Sequence, residues 1–378
     1  MQQIQLTETQ NKVVEEFAQL NPRRAVIELP TATGKTIIAL EILKKYNYQK
    51  VLILANTLQL VNQWRSDLVA NGVVRFDIIT YQSAYKYKDF EFDMLICDEG
   101  HHLWSEKWFK LLENNNFKDI LILTAVLPRD DMRHLLANKF NIKLISNKSY
   151  EIGIKEKLIS DFKIFNIGVN LTENEQIQLG KINNFISQNY KHFNFNLQEV
   201  KHYSTQKSYI VKNHLASELL LCFQKRKEIL NNAVNKLGEV GKILLEEYYN
   251  KAIIYCEYIN FANSLFEYLK KLELDVCIYH SEIQNKEQVL QNFKDNQNKI
   301  IISVKCLDEG LNIPDLDSAI IVSSSSQERQ TIQRIGRILR YKEGKTAKVY
   351  NLYVKNSREQ QWLQERLKSF DKEKIFWR

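Results

Sequence analysis

The chain has 378 residues, enough for two or three domains with substantial cores. Its composition, 44% apolar, 26% charged and 11% aromatic, excludes a disordered or fibrous chain. The net charge of +8 is spread along the chain and forms no basic tail, which suits a folded surface facing a polyanion without proving one.

In chain order, residues 25–29, 51–55, 76–80, 94–97 and 120–124 read as buried strands. Amphipathic helical stretches lie between them, among them Lys35–Tyr46, Gln59–Ala70 and Ser105–Glu113. Continuous apolar strands alternating with helices predict a parallel sheet covered on both faces. Residues 172–248 differ, being Asn-, Gln- and Lys-rich. There Leu215, Leu219, Leu220, Phe223, Leu230, Val234 and Leu237 mark one helix face, with Gly238 and Gly241 expected to end or loosen it. Strands are expected again at 252–256, 276–280, 299–304, 318–323 and 347–354, with helices at 259–271, 284–293 and 327–339. The fold class is therefore α/β, with two parallel-sheet domains, 1–149 and 150–378, and a mainly helical insertion at 172–248.

Cys97, Cys222, Cys256, Cys277 and Cys306 are scattered and form no CxxC pair, so a reducing, cytoplasmic setting is expected and a disulfide framework or zinc site is not. The N-terminal residues lack a basic-then-apolar leader and no apolar run is of spanning length, so neither secretion nor a membrane is expected.

LPTATGKT at 29–36 follows a strand and opens a helix. Such a loop turns backbone N–H groups of Thr31, Ala32, Thr33 and Gly34 and a helix N-terminus toward a triphosphate, with Lys35 on the phosphates and Thr36 on Mg²⁺. Leu29 stands where the usual pattern has its first glycine. CDEGH at 97–101 puts Asp98 and Glu99 at a strand end, where Asp98 can hold the metal and Glu99 can polarise water. In QRIGRILR at 333–340, Arg337 and Arg340 share a helix face, with Gln333 one turn earlier. Arginines so placed can stabilise charge developing on a γ-phosphate.

LPTATGKT and DEGH together resemble motifs I and II of the superfamily 2 DExH-box helicases, and further motifs follow in the family's order. ANTLQLVNQW (55–64) is similar to motif Ia, ITYQS (79–83) to the next strand-end element and LTAVLPRDD (123–131) to motif III. Residues 252–269, 302–322 and 333–340 are similar to motifs IV, V and VI, and LTENE (171–175) resembles the opening of the second domain in XPB-like and RadD-like DNA helicases. The resemblance implies two RecA-like domains flanking an ATP cleft. It implies that Gln10, in LTETQ (6–10), reads the adenine edge, that Asn312 lies near the ribose, and that His101 bridges toward motif III or the opposite domain. Thr57, Thr80, Ser303 and Lys305 would touch the nucleic-acid backbone. Departures from the family's pattern are Val126 for Thr, Asn56 for Pro, Asn312 for Asp and Gly100 for Ala; none removes a phosphate, metal or arginine group. The implied function is an ATP- and Mg²⁺-dependent helicase or translocase on DNA, single-stranded or forked, with targeting supplied by a protein partner. The alternatives are an RNA helicase, or a nucleotide-gated subunit of a nuclease or defence complex. The aromatic and basic residues of 185–203 could stack on a single strand, but a partly buried face is the favoured reading.

Overall fold

The computed structural model describes residues 6–84, 86–104, 106–125, 138–147, 150–206, 211–304, 316–323, 328–368 and 370–378. Val126, Lys305 and Asn312, and with them most of the expected motif III, lie outside the described residues. The chain divides into two compact units. The first gathers Met1–Phe162, Leu307–Pro314 and Arg329–Ala347; the second gathers Lys163–Cys306, Asp315–Glu328 and Lys348–Arg378.

In the first unit, β1 (Arg24–Glu28), β2 (Val51–Ala55), β3 (Phe76–Thr80), β4 (Glu91–Cys97), β5 (Asn116–Thr124) and β6 (Lys143–Asn147) form a sheet of order β3-β2-β4-β5-β1-β6. Every pairing with a determined register in it is parallel. Alternate residues of a strand point to opposite faces, so the apolar runs split between two cores. Ala25, Ile27, Val51 and Ile53 join one cluster; Val26, Leu52 and Leu54 join the other. The first cluster is closed by α1 (Glu8–Ala18), α2 (Lys35–Tyr46) and α3 (Leu58–Ala70), through Phe17, Ile38, Ile42 and Trp64. A capping box of Thr7 and Gln10 starts α1, and Thr57 caps α3 by accepting from the Leu60 N–H at 3.3 Å.

In the second unit, β7 (Asp161–Val169), β8 (Ala252–Cys256), β9 (Val276–Tyr279), β10 (Ile300–Val304), β11 (Ser318–Ile321), β12 (Thr346–Val354) and β13 (Ile375–Trp377) form a sheet of order β13-β7-β12-β11-β8-β10-β9. β8 pairs in parallel with β10 and β11, and β11 in parallel with β12. The sequence reading does not assign β6, β7 or β13. β6 (KLISN) has only two apolar residues and β13 only three residues in all, while β7 (DFKIFNIGV) is interrupted by polar residues, so none shows a continuous apolar run.

The helical insertion is present, as helices Glu173–Asn189, Leu197–Thr205, Val211–Asn231 and Asn235–Glu246. The expected single face from Leu215 to Leu237 is not one helix. Leu219 packs in a cluster with Ile186 and Phe193, Leu230 in another with Val169 and Val354, and Val234 is 54% exposed at the break. Periodicity misses this because the break at 232–234 is only three residues long and leaves the apolar spacing nearly unchanged. Gly238 and Gly241 also lie inside a helix and do not end one. At Gly241 a Cβ would come within 2.9 Å of Tyr268 and Leu272, so the glycine admits the neighbouring helix Ile259–Lys271. In 185–203 the buried reading holds for Phe193 and Val200, both fully buried. Among the described residues no helix is long and apolar enough to cross a membrane, and Cys97, Cys222, Cys256 and Cys277 are free thiols.

Candidate nucleotide site

β1 ends at Glu28, and the loop to α2 passes through two left-handed positions, Ala32 (φ 67°) and Gly34 (φ 81°). Gly34 adopts this freely, whereas Ala32 stores about 1–3 kcal/mol of strain. Alternating handedness makes consecutive amides concave, which is an anion cradle. Leu29, the departure from the glycine pattern, is buried and extends β1's pairing by donating its N–H to the Thr124 carbonyl at 3.1 Å. Thr33 is turned inward, its hydroxyl donating to the Pro30 carbonyl at 2.8 Å.

Gln10 braces this loop. Its Nε2 donates to the Thr33 carbonyl at 3.0 Å, its Oε1 accepts from the Thr7 N–H at 3.0 Å, and the residue is 4% exposed. A Cβ on Gly34 would stand 2.4 Å from that Nε2, so the glycine serves close approach as well as handedness. Gln10 therefore lies behind the loop and not among the groups lining the pocket in front of it.

That pocket, about 350 Å³, lies within the first unit and is lined by Thr31, Ala32, Gly34, Lys35 and Thr36 of the loop, by Asp98 and Glu99, and by Gln333, Arg337 and Arg340. Lys35 Nζ folds back to donate to the Leu29 and Pro30 carbonyls at 3.0 and 3.1 Å. Burial lowers the Lys35 pKa, opposed by the charges of Glu99 and Asp98.

Asp98 is held from three sides. Trp64 Nε1 donates to Oδ2 at 2.8 Å, the Glu99 N–H donates to Oδ1 at 3.0 Å, and the Tyr81 hydroxyl donates to the Asp98 carbonyl at 2.8 Å. Burial, then the Glu99 charge, push the Asp98 carboxyl up to about 6 against the pull of Trp64 and Lys35. Glu99 is left-handed (φ 51°), and its Oε2 lies 3.3 Å from Nδ1 of the buried His101. Gly100 has a direct reason to differ from the family's alanine: a Cβ there would fall 2.1 Å from Ile122 Cγ2. His102 is a packing residue whose ring meets Tyr81 at 5.4 Å.

The helix Glu328–Ile338 brings Gly336 against the phosphate loop so closely that a Cβ would overlap Thr31 Oγ1 at 1.5 Å. Gln333 is nearly buried, and its Nε2 has no hydrogen-bond partner among the described residues. Arg340 is lowered by burial and by the charge of Arg337. These donors fit a polyphosphate. The Thr36 hydroxyl and the Asp98 carboxylate are hard oxygen groups of the kind that would hold Mg²⁺.

The expected backbone-contact residues do not all sit alike. Thr57 and Thr80 lie at the carboxyl ends of the adjacent strands β2 and β3, where Ala55 pairs with Thr80. The Thr80 hydroxyl lies 3.2 Å from that of Ser83. Ser303 is fully buried within β10 and presents no hydroxyl to solvent. The sequence reading misses Trp64 and Tyr81, which hold Asp98, and Gln63, which also lines the pocket. Trp64 looks like any apolar position of an amphipathic helix, and only its indole N–H, turned toward β4, sets it apart.

Residues 235–342 match the family described as "Helicase conserved C-terminal domain", and residues 3–72 match "Type III restriction enzyme, res subunit". The helicase domain of Hef from Pyrococcus furiosus has a similar fold, with a TM-score of 0.59 at 16% identity over 94% of this chain and 97% of that one. So has Dbp5 of S. cerevisiae bound to RNA and ADP BeF3, with a TM-score of 0.62 at 13% identity over 98% of this chain and 89% of that one. The chain spans 52% to 80% of the length of three curated relatives that it matches. One of them, the DNA 3'-5' translocase XPB2 of Sulfurisphaera tokodaii, is 31% identical over 90% of this chain and 80% of its own length. Identity of that extent, on a chain whose phosphate loop, strand-end carboxylates and paired arginines line one pocket, means that the protein belongs to the XPB-like branch of the superfamily 2 helicases.

Proposed function

We propose that the protein is an ATP-driven translocase that acts on DNA, hydrolysing ATP to ADP and phosphate to move along a strand. The observation that carries this reading is the shared pocket of Lys35, Asp98, Glu99, Arg337 and Arg340. Lys35 would leave the Leu29 and Pro30 carbonyls for the β- and γ-phosphates of ATP. Thr36 and Asp98 would hold Mg²⁺, which when bound neutralises charge on those phosphates. Glu99 orients a water, which attacks the γ-phosphorus as the bond to the bridging oxygen breaks. The proton of that water passes to Glu99, whose carboxylate His101 positions. Arg337 and Arg340 bind the γ-oxygens as their charge grows, and Gln333 offers its unsatisfied amide donor to the same oxygens or to the water. Gln10, spent on the loop, acts by shaping it; any reading of adenine would use its remaining amide hydrogen. Thr57 and Thr80, at the ends of two neighbouring strands, suit sequence-independent contacts to a strand.

DNA is preferred as substrate because the XPB2 relative is named a DNA translocase. The test is ATP turnover with single-stranded, duplex and forked DNA and the matching RNAs. Stimulation by DNA well above RNA is expected. Equal or greater stimulation by RNA would make the protein an RNA helicase. Turnover indifferent to every polynucleotide would favour the nucleotide-gated subunit.

A further inference from the structure

The second unit carries a small pocket of about 160 Å³ where the helices Glu173–Asn189 and Val211–Asn231 meet the start of the helix Arg358–Arg366. Leu179 and Leu230 form its floor, as part of an apolar cluster with Val169 and Val354. Arg226 and Arg358 form its polar wall with Asn183, and among the described residues no carboxylate lines it.

Two guanidinium groups in one small pocket need a reason. Arg226 is held over the Phe223 ring, 5.4 Å from its centroid, and Phe223 meets Tyr190 edge-on at 5.2 Å. The Arg226 Nε is fully buried and has no hydrogen-bond partner among the described residues. Burial and the charge of Arg358 both pull the Arg226 pKa below its ordinary value. Arg358 is the first residue of its helix, after the Ser357 cap, where the helix dipole disfavours a cation and favours an anion. Two carboxylates on the same elements are committed elsewhere. Glu359 accepts from Lys236 Nζ and from the Val354 N–H, both at 2.8 Å; Glu175 accepts from the Thr172 and Val234 N–H groups at 2.8 and 3.0 Å. Burial and the charge of Arg358 act against Arg226, and the helix dipole acts against Arg358, which is exposed and donates one Nη1 hydrogen to the Gln361 side-chain oxygen. One anion from outside would relieve the repulsion between them.

We propose that this pocket seats a single phosphate group of a bound nucleic-acid strand, gripped between Arg226 and Arg358. The proposal rests on the strand-binding reading above. The cavity is smaller than the roughly 300–1,000 Å³ of pockets that enclose a whole small molecule, so it takes a group and not a nucleotide. Planar guanidinium forks match phosphate oxygens better than any other side chain does. The contact would be independent of sequence and would add a hold on the strand outside the helicase motifs.

Arg226→Gln and Arg358→Gln, singly and together, should be compared with the Lys versions in the full chain, using a fluorescent single-stranded oligonucleotide titrated at several salt concentrations. The double Gln variant should bind about tenfold more weakly, the scale of one charge-assisted pair, and its log–log salt slope should be shallower by about 0.7. The Lys versions should keep the slope, because the charge remains, and regain only part of the affinity. Strand-free ATP turnover and the melting temperature should stay at the parent's values. Unchanged affinity and slope in the double Gln variant, with the parent binding strand, would overturn the proposal and leave the strand-binding reading intact. Calorimetry with inorganic phosphate separates the sources: uptake by the parent and loss in the double variant, with strand affinity unchanged, would assign the pocket to a free anion and also overturn it. A parent that binds no strand overturns reading and proposal together.

Discussion

At the end of β4 the proposed scheme gives Glu99 the chemistry and Trp64 a supporting place. Glu99 stands at the mouth of the pocket in a left-handed conformation that only a packed surrounding maintains. Glu99→Gln should bind ATP with Mg²⁺ and turn it over about 10²–10⁴ times more slowly, as loss of a general base does. A single-turnover rate within tenfold of the parent's would remove Glu99 from that role. Trp64 touches no nucleotide atom in the proposed scheme, yet its indole aims the Asp98 carboxylate. Trp64→Phe keeps the ring packing and removes a hydrogen bond to a charged acceptor, worth about 1.5–3 kcal/mol, so the Mg²⁺ concentration for half-maximal turnover should rise about tenfold or more. The pH sense follows from the raised Asp98 carboxyl, at about 6. A proton is bound more readily in the folded chain than in the unfolded one, so the unliganded protein gains stability on acidification from about 6 toward 4. Metal binding needs the carboxylate and is lost over the same fall in pH. Without the indole donor that midpoint should move upward, which Mg²⁺ titrations on both sides of it will read.

At the scale of elements, two contacts decide whether helices sit where the chemistry needs them. The helix Glu328–Ile338 reaches the phosphate loop only because position 336 has no side chain. Gly336→Ala must displace the helix or Thr31, and a misplacement near 1 Å can cost about 10²-fold in rate. Turnover should drop on that scale while the far-ultraviolet circular dichroism and the melting curve stay close to the parent's. Full activity in Gly336→Ala would mean that the helix is not pressed on the loop during turnover. In the second unit, the helix Asn235–Glu246 is tied to the helix Arg358–Arg366 by the fully buried pair Lys236 and Glu359, 2.8 Å apart, with Lys236 also donating to the Val322 carbonyl at 2.9 Å. Burial lowers the Lys236 pKa and Glu359 opposes the fall. Lys236→Ala strands a buried carboxylate and should destabilise by about 3–5 kcal/mol; Lys236→Met with Glu359→Leu should recover much of that, since replacing a buried pair by apolar groups is often neutral. Denaturant melts of the three proteins decide the matter.

For the whole molecule, the prediction concerns the balance of charge against sequence. A net charge of +8, spread along the chain, suits a contact surface that reads phosphates and not bases. Strand affinity should fall steeply with salt, each neutralised phosphate adding about −0.7 to the log–log slope on a single strand and about −0.9 on duplex. Oligonucleotides of one structure and different sequence should bind within a few-fold of one another. A flat salt dependence, or strong preference for one sequence, would remove the translocase reading.

Most strand positions, the helix after the phosphate loop and the loop, carboxylate and arginine groups that share one pocket were legible in the sequence, because parallel strands buried on both faces read as unbroken apolar runs and because the chemistry of phosphate and metal admits few residue types. LPTATGKT, DEGH and QRIGRILR carried that much without coordinates. What each side chain does once folded was decided by neighbours distant in the chain. Thr33 alters what Gln10 can reach, Ile122 explains Gly100, Thr31 explains Gly336, and β4 turns Trp64 from a core residue into a support for Asp98. Ser303 shows the same from the other side: the strands beside it bury a hydroxyl that its motif-like segment had marked as a contact. Local pattern records which face of an element is apolar, and a single hydrogen bond or a missing Cβ changes no pattern. Such contacts depend on distances of a few ångströms between segments tens to hundreds of residues apart, and only the tertiary structure sets those.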